Sequence, residues 1–255
     1  MIKAIFFDID GTLLSTQSHS ILPGTIHALK TLQEKGIRTF ISSGRPMVLI
    51  PPMPIDFDGY ITVNGGYCIV GNNVILRNPI NKIDTSRWLR YVEENDIVTM
   101  CFTANDMFIN RISDSAVRLR DQLGFTMPPV RPLQEMANND VYQFIAMQPA
   151  EDDPRVLELL SHCRMPRWHP AFSDIIPDNS SKAVGIETII SHFGINQDET
   201  MAFGDGANDI EMLDYAHIGV AMGNASTIVK QHADYVTLDS NNDGILSALQ
   251  HFEII

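Results

Sequence analysis

Two aspartates, Asp8 and Asp10, directly follow an apolar run near the start of this 255-residue chain and are the first candidates for chemistry. Side chains two positions apart on an extended backbone point the same way, so both carboxylates can face one site. In such a site Asp8 can attack a phosphorus atom as a nucleophile. Asp10 can protonate the leaving oxygen and later activate a hydrolytic water. The pair alone is also consistent with a polar loop at the edge of a sheet.

A second candidate segment, residues 42–45 (SSGR), also follows an apolar run. The Ser43 hydroxyl and the backbone N–H groups of Gly44 and Arg45 can bind a phosphoryl oxygen, as loops that lead into helices often do. A serine at this point can instead cap a helix, with Pro46 in the first turn. The segment is therefore a candidate phosphate-binding loop with a purely structural alternative.

A glycine-rich segment, residues 204–209 (GDGAND), adds two aspartates after another strand-like run. Mg²⁺ prefers hard oxygen ligands in an octahedron and usually binds only a few carboxylates. Asp8, Asp205 and a backbone carbonyl would make such a partial ligand set. Asp209 is also a first-turn acid that a helix dipole would favour. The segment begins like a dinucleotide-binding fingerprint, but Asp209 stands where the third glycine is needed, which argues against NAD.

Lys182 is the fourth candidate and lies in the first turn of a predicted helix. A lysine at such a position is usually solvated. However, a site that holds several carboxylates and a phosphate needs a nearby cation for electrostatic reasons. That requirement favours a place for Lys182 in the same site.

Strands and helices alternate in the first and last thirds of the chain. Apolar runs predict strands, and helical spacing bounded by proline, serine or glycine predicts helices. The predicted strands are residues 2–7, 37–42, 60–63, 200–203, 218–222 and 235–238, and the predicted helices are 23–35, 180–193, 209–215, 225–232 and 245–252. This pattern indicates an α/β fold, a Rossmann-like parallel sheet with helices on both faces. Ligands bind beyond the carboxyl ends of such strands, where the three loop motifs lie.

In the middle of the chain, helical and strand-like segments are mixed and do not alternate regularly. This pattern predicts an inserted α+β domain over residues 82–179. Its predicted helices lie around Trp88, before Gly124 and from Pro154 to Leu160, and its predicted strands at 98–102, 107–109, 141–147 and around Trp168 and Ile175. Residues 1–81 and 180–255 would then form a discontinuous Rossmann-like core.

The amino-acid composition indicates which binding partners and which cellular compartment to expect for this protein. The formal net charge is −13 and no run of Lys or Arg occurs, which argues against a nucleic-acid partner. No stretch approaches the ~20 apolar residues of a membrane span, and Asp8 interrupts the apolar N-terminus before a signal peptide could form. Cys68, Cys101 and Cys163 form no CxxC pair and indicate neither a zinc site nor a disulfide framework. We therefore expect a soluble, cytoplasmic protein without a membrane partner, a monomer or weak homo-oligomer.

Taken in order, the polar motifs resemble those of the haloacid dehalogenase-like hydrolase superfamily. Residues 8–12 (DIDGT), Ser43, Lys182 and residues 204–209 (GDGAND) are similar to its first to fourth motifs. Residues 43–46 (SGRP), 63–66 (VNGG), 181–183 (SKA) and 219–225 (GVAMGNA) are similar to segments of the Cof-type branch. That branch inserts a type IIB cap between the second and third motifs, and the insertion predicted here lies in this interval.

The resemblance implies a phosphatase that uses Mg²⁺. It implies that Asp8 is the nucleophile and that Asp10 is the acid/base. It further implies that Asp8, Asp205 and the backbone carbonyl of Asp10 bind the metal. The dehalogenase and transport-ATPase branches lack the second aspartate, so Asp10 points to hydrolysis of a phosphate ester or to a phosphomutase.

The remaining roles implied by the resemblance concern the phosphate. Ser43 and Lys182 would hold it, Asn208 would touch it, and Asp209 would support the water shell of the metal. Two departures from the family pattern occur. Ser43 stands where many members have Thr, and residues 178–180 (DNS) replace the usual glycine-containing turn before the helix of Lys182.

The substrate is expected to be a small phosphorylated metabolite, in particular a sugar phosphate. The inserted segment is the sizeable part of the chain free to select it, and closure of a cap also excludes water. Trp168 and His169 are candidates for sugar contacts, with a core position as the alternative for Trp168. A receiver-like regulatory protein is the non-enzymatic alternative, although a receiver needs neither an acid/base nor a cap.

Overall fold

The computed structural model describes residues 1–123, 125–167 and 169–255. They form two compact units, the first comprising Met1–Gly44, Pro51–Arg77 and Ser181–Ile255 and the second Arg45–Ile50 and Asn78–Ser180. The division predicted from the sequence assigned residues 45–50 to the core, whereas the structure places them in the second unit. Among the described residues no helix combines the length and the apolar character needed to cross a membrane.

The first unit alternates strands and helices, as its apolar periodicity predicts. Its elements before the second unit are β1 (Ala4–Phe7), α1 (Pro23–Glu34), β2 (Arg38–Ser42), β3 (Gly59–Thr62), β4 (Tyr67–Val70) and β5 (Asn73–Arg77). The second unit contains α2 (Lys82–Glu94), β6 (Val98–Phe102), β7 (Met107–Ile109), α3 (Asp114–Leu123), α4 (Leu133–Asn138), β8 (Gln143–Met147), α5 (Asp153–Leu159), β9 (Cys163–Arg164) and β10 (Ser173–Pro177). The first unit then resumes with α6 (Lys182–Phe193), β11 (Thr200–Gly204), α7 (Ile210–Tyr215), β12 (Ile218–Ala221), α8 (Thr227–Lys230), β13 (Tyr235–Val236) and α9 (Gly244–His251).

The sheet of the first unit has the strand order β13-β12-β11-β1-β2-β3-β4-β5 within the described residues. The strands from β13 to β3 pair in parallel, and the hairpin of β4 and β5 adds two antiparallel strands at one edge. β1 lies between β11 and β2, with Phe7 opposite both Phe203 and Ile41. The loops after these three strands therefore begin at the same edge of the sheet.

β1 is a fully buried strand because helices cover both faces of a parallel sheet. All four of its residues are buried, and the ring of Phe6 stacks on that of Phe40 with 4.9 Å between centroids. Ile186 and Ile189 of α6 pack into the same core. Gly185 allows this approach, since a Cβ there would lie 2.4 Å from Cγ2 of Ile61.

α6 ends at the predicted residue and begins two residues later than predicted, at Lys182. The Ser181 hydroxyl accepts a hydrogen bond from the Val184 N–H at 3.2 Å and caps the first turn. Gly194 ends the helix in the left-handed conformation with φ of 64°, which glycine adopts without a Cβ penalty. The helix that carries Lys182 at its first position is thus fixed by local sequence signals.

The second unit is an antiparallel sheet packed on helices. Its strand order is β7-β6-β8-β10-β9 within the described residues. Trp88 of α2 is buried against Phe144 of β8 and donates its indole N–H to the Thr99 hydroxyl at 3.2 Å. The mixture of helices and hairpins agrees with an α+β unit.

The sequence missed one helix of this unit. α4 carries one fully buried side chain, Met136, and so has too little apolar periodicity to be recognised. Among the described residues on either side of the predicted strand around Trp168, β9 ends at Arg164, and His169 and Phe172 form an isolated bridge. Trp168 itself and Gly124, the predicted end of α3, lie outside the described residues.

Candidate active site

Asp8 is the first residue after β1 and lies almost completely inside the protein. Its N–H donates to the Phe203 carbonyl at 3.0 Å, which continues the β1–β11 ladder by one residue. Its carbonyl accepts from the Leu13 N–H at 3.2 Å, because the chain turns back immediately afterwards. Asp8 is 7% exposed. The backbone on both sides therefore fixes the position of this carboxylate.

Lys182 joins Asp8 to a second buried carboxylate. Its Nζ lies 2.5 Å from Oδ1 of Asp8 and 2.5 Å from Oδ1 of Asp209. Lys182 is 1% exposed and Asp209 is fully buried. The solvated position that is usual for a lysine at a helix start is therefore excluded. Short charge-assisted hydrogen bonds of this kind stabilise a charge that burial would otherwise penalise.

Asp209 organises the glycine-rich loop through its other oxygen. Oδ2 accepts hydrogen bonds from the backbone N–H groups of Asp205 at 2.9 Å and of Gly206 at 2.8 Å. Gly204 permits this fold of the loop, because a Cβ there would lie 2.5 Å from Cβ of Asp209. Asp209 directly precedes α7, which begins at Ile210, so its carboxylate lies at the helix N-terminus that the dipole favours and also binds the loop and Lys182.

Asp205 is oriented by donors to both of its carboxylate oxygens. The Thr12 hydroxyl donates to Oδ1 at 3.2 Å, and the Asn224 amide donates to Oδ2 at 2.9 Å. Gly11 also approaches closely, since a Cβ there would lie 2.2 Å from Oδ2 of Asp205. The carboxylate is held between the loops that follow β1, β11 and β12.

Asp8, Asp205 and Asp209 form one cluster of carboxylates. Each offers one oxygen, and these three oxygens all lie within 4.8 Å of one another. Such hard oxygen donors suit a divalent cation such as Mg²⁺. Asp209 already accepts hydrogen bonds from Lys182 and two backbone N–H groups, so Asp8 and Asp205 are the better direct ligands. The donor set thus fits the metal that the sequence predicts.

The pKa values reflect the crowding of these acids. Burial raises the pKa of Asp8 well above its usual range, an effect that Lys182 opposes and that Asp209 and Asp205 reinforce. Burial and the charge of Asp209 raise the pKa of Asp205 to about 7. Burial alone would lower the pKa of Lys182, but the carboxylates of Asp209 and Asp8 outweigh it and raise the pKa, so the ammonium stays protonated. The single lysine does not balance the three acids, whereas a bound cation would.

Asp10 differs from Asp8 in its surroundings. β1 ends at Phe7, and the Thr12 N–H donates to the Ile9 carbonyl at 3.4 Å, so residues 8–12 form a turn rather than an extended strand. The alternation expected of an extended backbone therefore does not apply. Asp10 is exposed and stands outside the carboxylate cluster, although its charge still contributes to the raised pKa of Asp205.

The predicted phosphate-binding loop begins at the end of β2. The Ser43 N–H donates to the Ile61 carbonyl at 2.8 Å, and Ser43 is 1% exposed. Pro46, and not Ser43, precedes the short 3-10 helix Met47–Leu49, so the helix-cap alternative for Ser43 is wrong. Arg45 belongs to the second unit, where its guanidinium donates to the Leu49 carbonyl at 2.7 Å.

Asn208 is connected to this loop by Asn64, a residue for which the sequence suggested no role. The Asn208 amide donates to Oδ1 of Asn64 at 3.0 Å, and the Asn64 N–H donates to the Ser43 carbonyl at 3.1 Å. Gly44 faces the same side chain, since a Cβ there would lie 3.1 Å from Oδ1 of Asn64. Asn64 thus links the loops after β2 and β11.

Three residues near the carboxylates were not predicted individually: Thr12, Asn64 and Asn224. Each lies in a segment that the sequence marked as family-like, but nothing in those segments shows which side chain contacts which loop. The partner of Thr12 and of Asn224 is Asp205, which is 193 residues away from Thr12.

His169 of the second unit stacks on Phe172 with 5.2 Å between ring centroids, and its Nδ1 accepts from the Ala171 N–H.

Comparison with known proteins agrees with this arrangement. A sequence profile of haloacid dehalogenase-like hydrolases matches residues 5–249. The HAD subclass IIB sugar phosphatase BT4131 is 39% identical, with a TM-score of 0.91 and coverage of 99% of this chain and 100% of that chain. BT1666 from Bacteroides thetaiotaomicron, described among phosphatases of the haloalkanoate superfamily, is 34% identical, with a TM-score of 0.93 and coverage of 100% and 96%. The pyridoxal phosphate phosphatase YbhA of Escherichia coli (strain K12) is 29% identical over 95% of this chain and 96% of its own length.

The profile covers nearly the whole chain, and BT4131 and YbhA, which the chain matches over nearly their full length, are phosphatases. The predicted motifs lie at one edge of the sheet, where Lys182 contacts Asp8 and Asp209 and Asn208 is linked to the loop of Ser43 through Asn64. The chain therefore belongs to the haloacid dehalogenase-like hydrolases, as a phosphatase of their Cof-type branch with a subclass IIB cap.

Proposed function

We propose that this phosphatase hydrolyses small phosphorylated metabolites, sugar phosphates in particular, with Mg²⁺ and through a phosphoenzyme intermediate on Asp8. One observation carries the proposal: Nζ of Lys182 lies 2.5 Å from the carboxylates of both Asp8 and Asp209, within a cluster that also contains Asp205. A buried carboxylate fixed beside a buried ammonium is placed to attack a phosphorus atom while the positive charge stabilises the phosphoryl oxygens.

The proposed reaction has two steps, formation of the phosphoenzyme and its hydrolysis. In the first, an Asp8 carboxylate oxygen forms a bond to phosphorus, the bond from phosphorus to the ester oxygen breaks, and Asp10 gives that oxygen its proton. In the second, Asp10 takes a proton from water, the water oxygen bonds to phosphorus, and inorganic phosphate leaves as Asp8 regains its carboxylate. The exposed position of Asp10 suits exchange of its proton with solvent.

The phosphoryl oxygens would be bound by groups from the loops after β2 and β11 and from the first residue of α6. We assign this role to the Ser43 hydroxyl, the Gly44 N–H, the Asn208 amide and the Lys182 ammonium. Arg45 stays a predicted contact, since its guanidinium belongs to the second unit. Binding by several preorganised donors stabilises negative charge more than water can, because the donors need not reorient during the reaction.

The metal would be held by the carboxylates of Asp8 and Asp205 and by the backbone carbonyl of Asp10. Mg²⁺ supplies positive charge that offsets the charge of the phosphate when the nucleophile is itself an anion. Asp209 orients Lys182 and the backbone of the loop around Asp205, and we propose that it also supports the water shell of the metal.

Sugar phosphates are the finer part of the proposal. Support comes from BT4131, a sugar phosphatase that is 39% identical to this chain, whereas YbhA, at 29%, acts on pyridoxal phosphate. The described residues of the second unit contribute nothing to the carboxylate cluster, so they are the candidates for selecting the rest of the substrate. Within that unit Trp168, which lies outside the described residues, and His169 stay predicted sugar contacts.

The test is a screen of phosphorylated metabolites, with p-nitrophenyl phosphate as the reference ester. We expect release of inorganic phosphate with Mg²⁺, reversible loss on chelation, and the highest kcat/KM for small sugar phosphates. Asp8→Asn should abolish turnover, because the amide cannot attack phosphorus. Full activity of this variant or in the chelator would refute the mechanism. Preference for pyridoxal phosphate, nucleotides or phosphoproteins would refute the sugar assignment, and isomerised sugar phosphate without phosphate release would indicate a mutase.

A further inference from the structure

We propose that Asn224 is a positioning residue for the metal site, whose side-chain amide holds the Asp205 carboxylate in the orientation that binds Mg²⁺. The inference rests on the proposed function, in which Asp205 is a direct ligand. Asn224 lies in the turn after β12 and would itself touch neither the metal nor the substrate.

Asn224 uses its amide nitrogen and its carbonyl oxygen to contact three partners. Its Nδ2 donates to Oδ2 of Asp205 at 2.9 Å and to the Gly11 carbonyl at 2.9 Å. Its Oδ1 accepts from the Ser240 N–H at 2.9 Å. A primary amide has two N–H donors and one carbonyl acceptor, so each kind of group is occupied and the side chain cannot rotate without breaking these bonds.

The partners belong to three different loops of the first unit. Gly11 follows β1, Asp205 follows β11 and Ser240 follows β13. Asn224 therefore ties the loop of the proposed nucleophile to the loop of the proposed metal ligand. An amide suits this place better than a carboxylate, because a further negative charge 2.9 Å from Asp205 would add to a cluster that already holds three acids.

The backbone that carries Asn224 is also fixed. The Met222 N–H donates to the Gly204 carbonyl at 2.9 Å, and the Gly223 N–H donates to the Leu238 carbonyl at 3.0 Å. A Cβ at Gly223 would lie 2.6 Å from the Asp239 nitrogen, so this turn packs directly against the segment after β13. The side-chain amide of Asn224 therefore projects from a turn whose backbone is held by hydrogen bonds and close packing.

Each carboxylate oxygen of Asp205 accepts one hydrogen bond, Oδ1 from Thr12 and Oδ2 from Asn224, and these two bonds set the orientation of the carboxylate. A carboxylate oxygen has two lone pairs, so one on each oxygen stays available for a metal. Removing the Asn224 donor leaves Oδ2 without this neighbour and frees the carboxylate to rotate. Groups that orient metal ligands in this way typically contribute about 10–100-fold to metal affinity.

The experiment measures Mg²⁺ binding directly, by titration calorimetry on the full chain without substrate. We expect the Kd for Mg²⁺ to rise ~10–100-fold in Asn224→Ala. Asn241→Ala is the matched control: Asn241 accepts from Ser15 and Thr16 in a neighbouring loop of the same unit, and its described bonds do not include Asp205. This control should bind Mg²⁺ with the wild-type Kd.

The following outcomes distinguish a positioning role of Asn224 from a purely structural one and test the metal assignment itself. A wild-type Kd in Asn224→Ala overturns the inference, and so does a lower melting temperature of the metal-free variant without a change in Kd, because that result indicates a purely structural role. If Asn224→Ala does not fold, Asn224→Ser, which keeps a small polar group, should still raise the Kd, and a wild-type Kd there overturns the inference. Asp205→Asn tests the underlying function: it should abolish Mg²⁺ binding, and unchanged binding would overturn the metal assignment and the inference with it.

Discussion

Buried charge dominates this protein at the scale of single residues. Lys182, Asp8 and Asp209 are almost completely excluded from water, which would be costly for any of them alone. They are stable together because the ammonium lies between two carboxylates and Asp209 also accepts two backbone N–H groups. Removing one partner would leave uncompensated charge, so substitutions here test chemistry and stability at once.

Asp10→Asn should lower turnover by roughly 10²–10⁴-fold, the usual contribution of a positioned proton donor. The loss should be smaller for p-nitrophenyl phosphate than for a sugar phosphate, since a good leaving group needs less help from a proton. The measurement is kcat/KM on both esters. Asp10 is exposed and outside the carboxylate cluster, so the variant should keep wild-type stability in urea. Equal losses on the two esters would argue that Asp10 acts on the metal or on geometry.

The raised pKa of Asp205 predicts a pH dependence of stability in the metal-free protein. The pKa is about 7 in the folded chain and 3.8 without the fold, so between these values the folded state holds a proton that the unfolded state has released. The free energy of unfolding in a chelator should therefore fall as pH rises through this window, by up to roughly 4 kcal/mol from Asp205.

Urea denaturation at several pH values between 4.5 and 7.5 checks this expectation. Other acids titrate in the same range, so the informative quantity is the difference between wild type and Asp205→Asn, which cannot titrate at this position. The free energy of unfolding of Asp205→Asn should therefore fall less over this pH range than that of the wild type. A parallel pH dependence in both proteins would show that Asp205 titrates normally.

At the scale of elements, the turn between β3 and β4 is under backbone strain. Val63, Asn64 and Gly65 have successive φ values of 45°, 54° and 85°. Asparagine and glycine tolerate this left-handed region, but a β-branched residue rarely adopts it. The turn contacts the loop after β2 through Asn64 and the start of α6 through Gly65. Strain of this kind persists where surrounding contacts impose it, and here it lies beside the proposed phosphate-binding groups.

Gly65→Ala should destabilise the protein by at least ~3 kcal/mol, because the new Cβ would lie 1.8 Å from the Ser181 carbonyl oxygen and the φ of 85° disfavours alanine. Turnover should also fall, since Ser181 precedes Lys182. Gly36→Ala is the control: its φ is 74°, but nothing lies within 4 Å of the new Cβ, so it should cost only ~1 kcal/mol. Urea denaturation of both variants checks this, and equal costs would show that backbone conformation alone matters.

At the scale of the whole molecule, the three cysteines are buried in the two packed units. Cys68 and Cys101 are fully buried and Cys163 is 8% exposed. Burial raises the pKa of Cys68 and of Cys163 to about 12 and raises that of Cys101 as well. Because the thiolate is the reactive form, all three thiols should be inert in the native protein.

We expect no thiol to react with an aromatic disulfide reagent at pH 8 within minutes in the native protein, and three to react after unfolding in guanidinium. The unfolded sample is the control for the total count. Rapid labelling of one thiol in the native state would contradict the burial, and mass mapping would identify it, with Cys163 as the least buried candidate.

The amino-acid sequence predicts the alternation of strands and helices in the first unit, the three motifs that follow its strands and the fourth, Lys182, at the start of a helix. These signals are local: a buried parallel strand is a short apolar run, and the ends of α6 are marked by Ser181 and Gly194. The edge at which the motifs meet follows from the same pattern, because parallel strands end on one side of a sheet. Residue types at that edge then suggested carboxylate and metal chemistry.

The tertiary structure alone decided which atoms meet. Lys182 contacts Asp8 across 174 residues of sequence, Thr12 contacts Asp205 across 193, and Asn224 contacts Gly11 across 213. No local periodicity encodes such contacts, since they depend on the register of β1 against β11 and on how closely glycines let the loops approach. For the same reason the sequence could not foresee that Asp10 is exposed while Asp8 is buried: the chain turns as soon as β1 ends, and only the packed fold shows where each side chain then points.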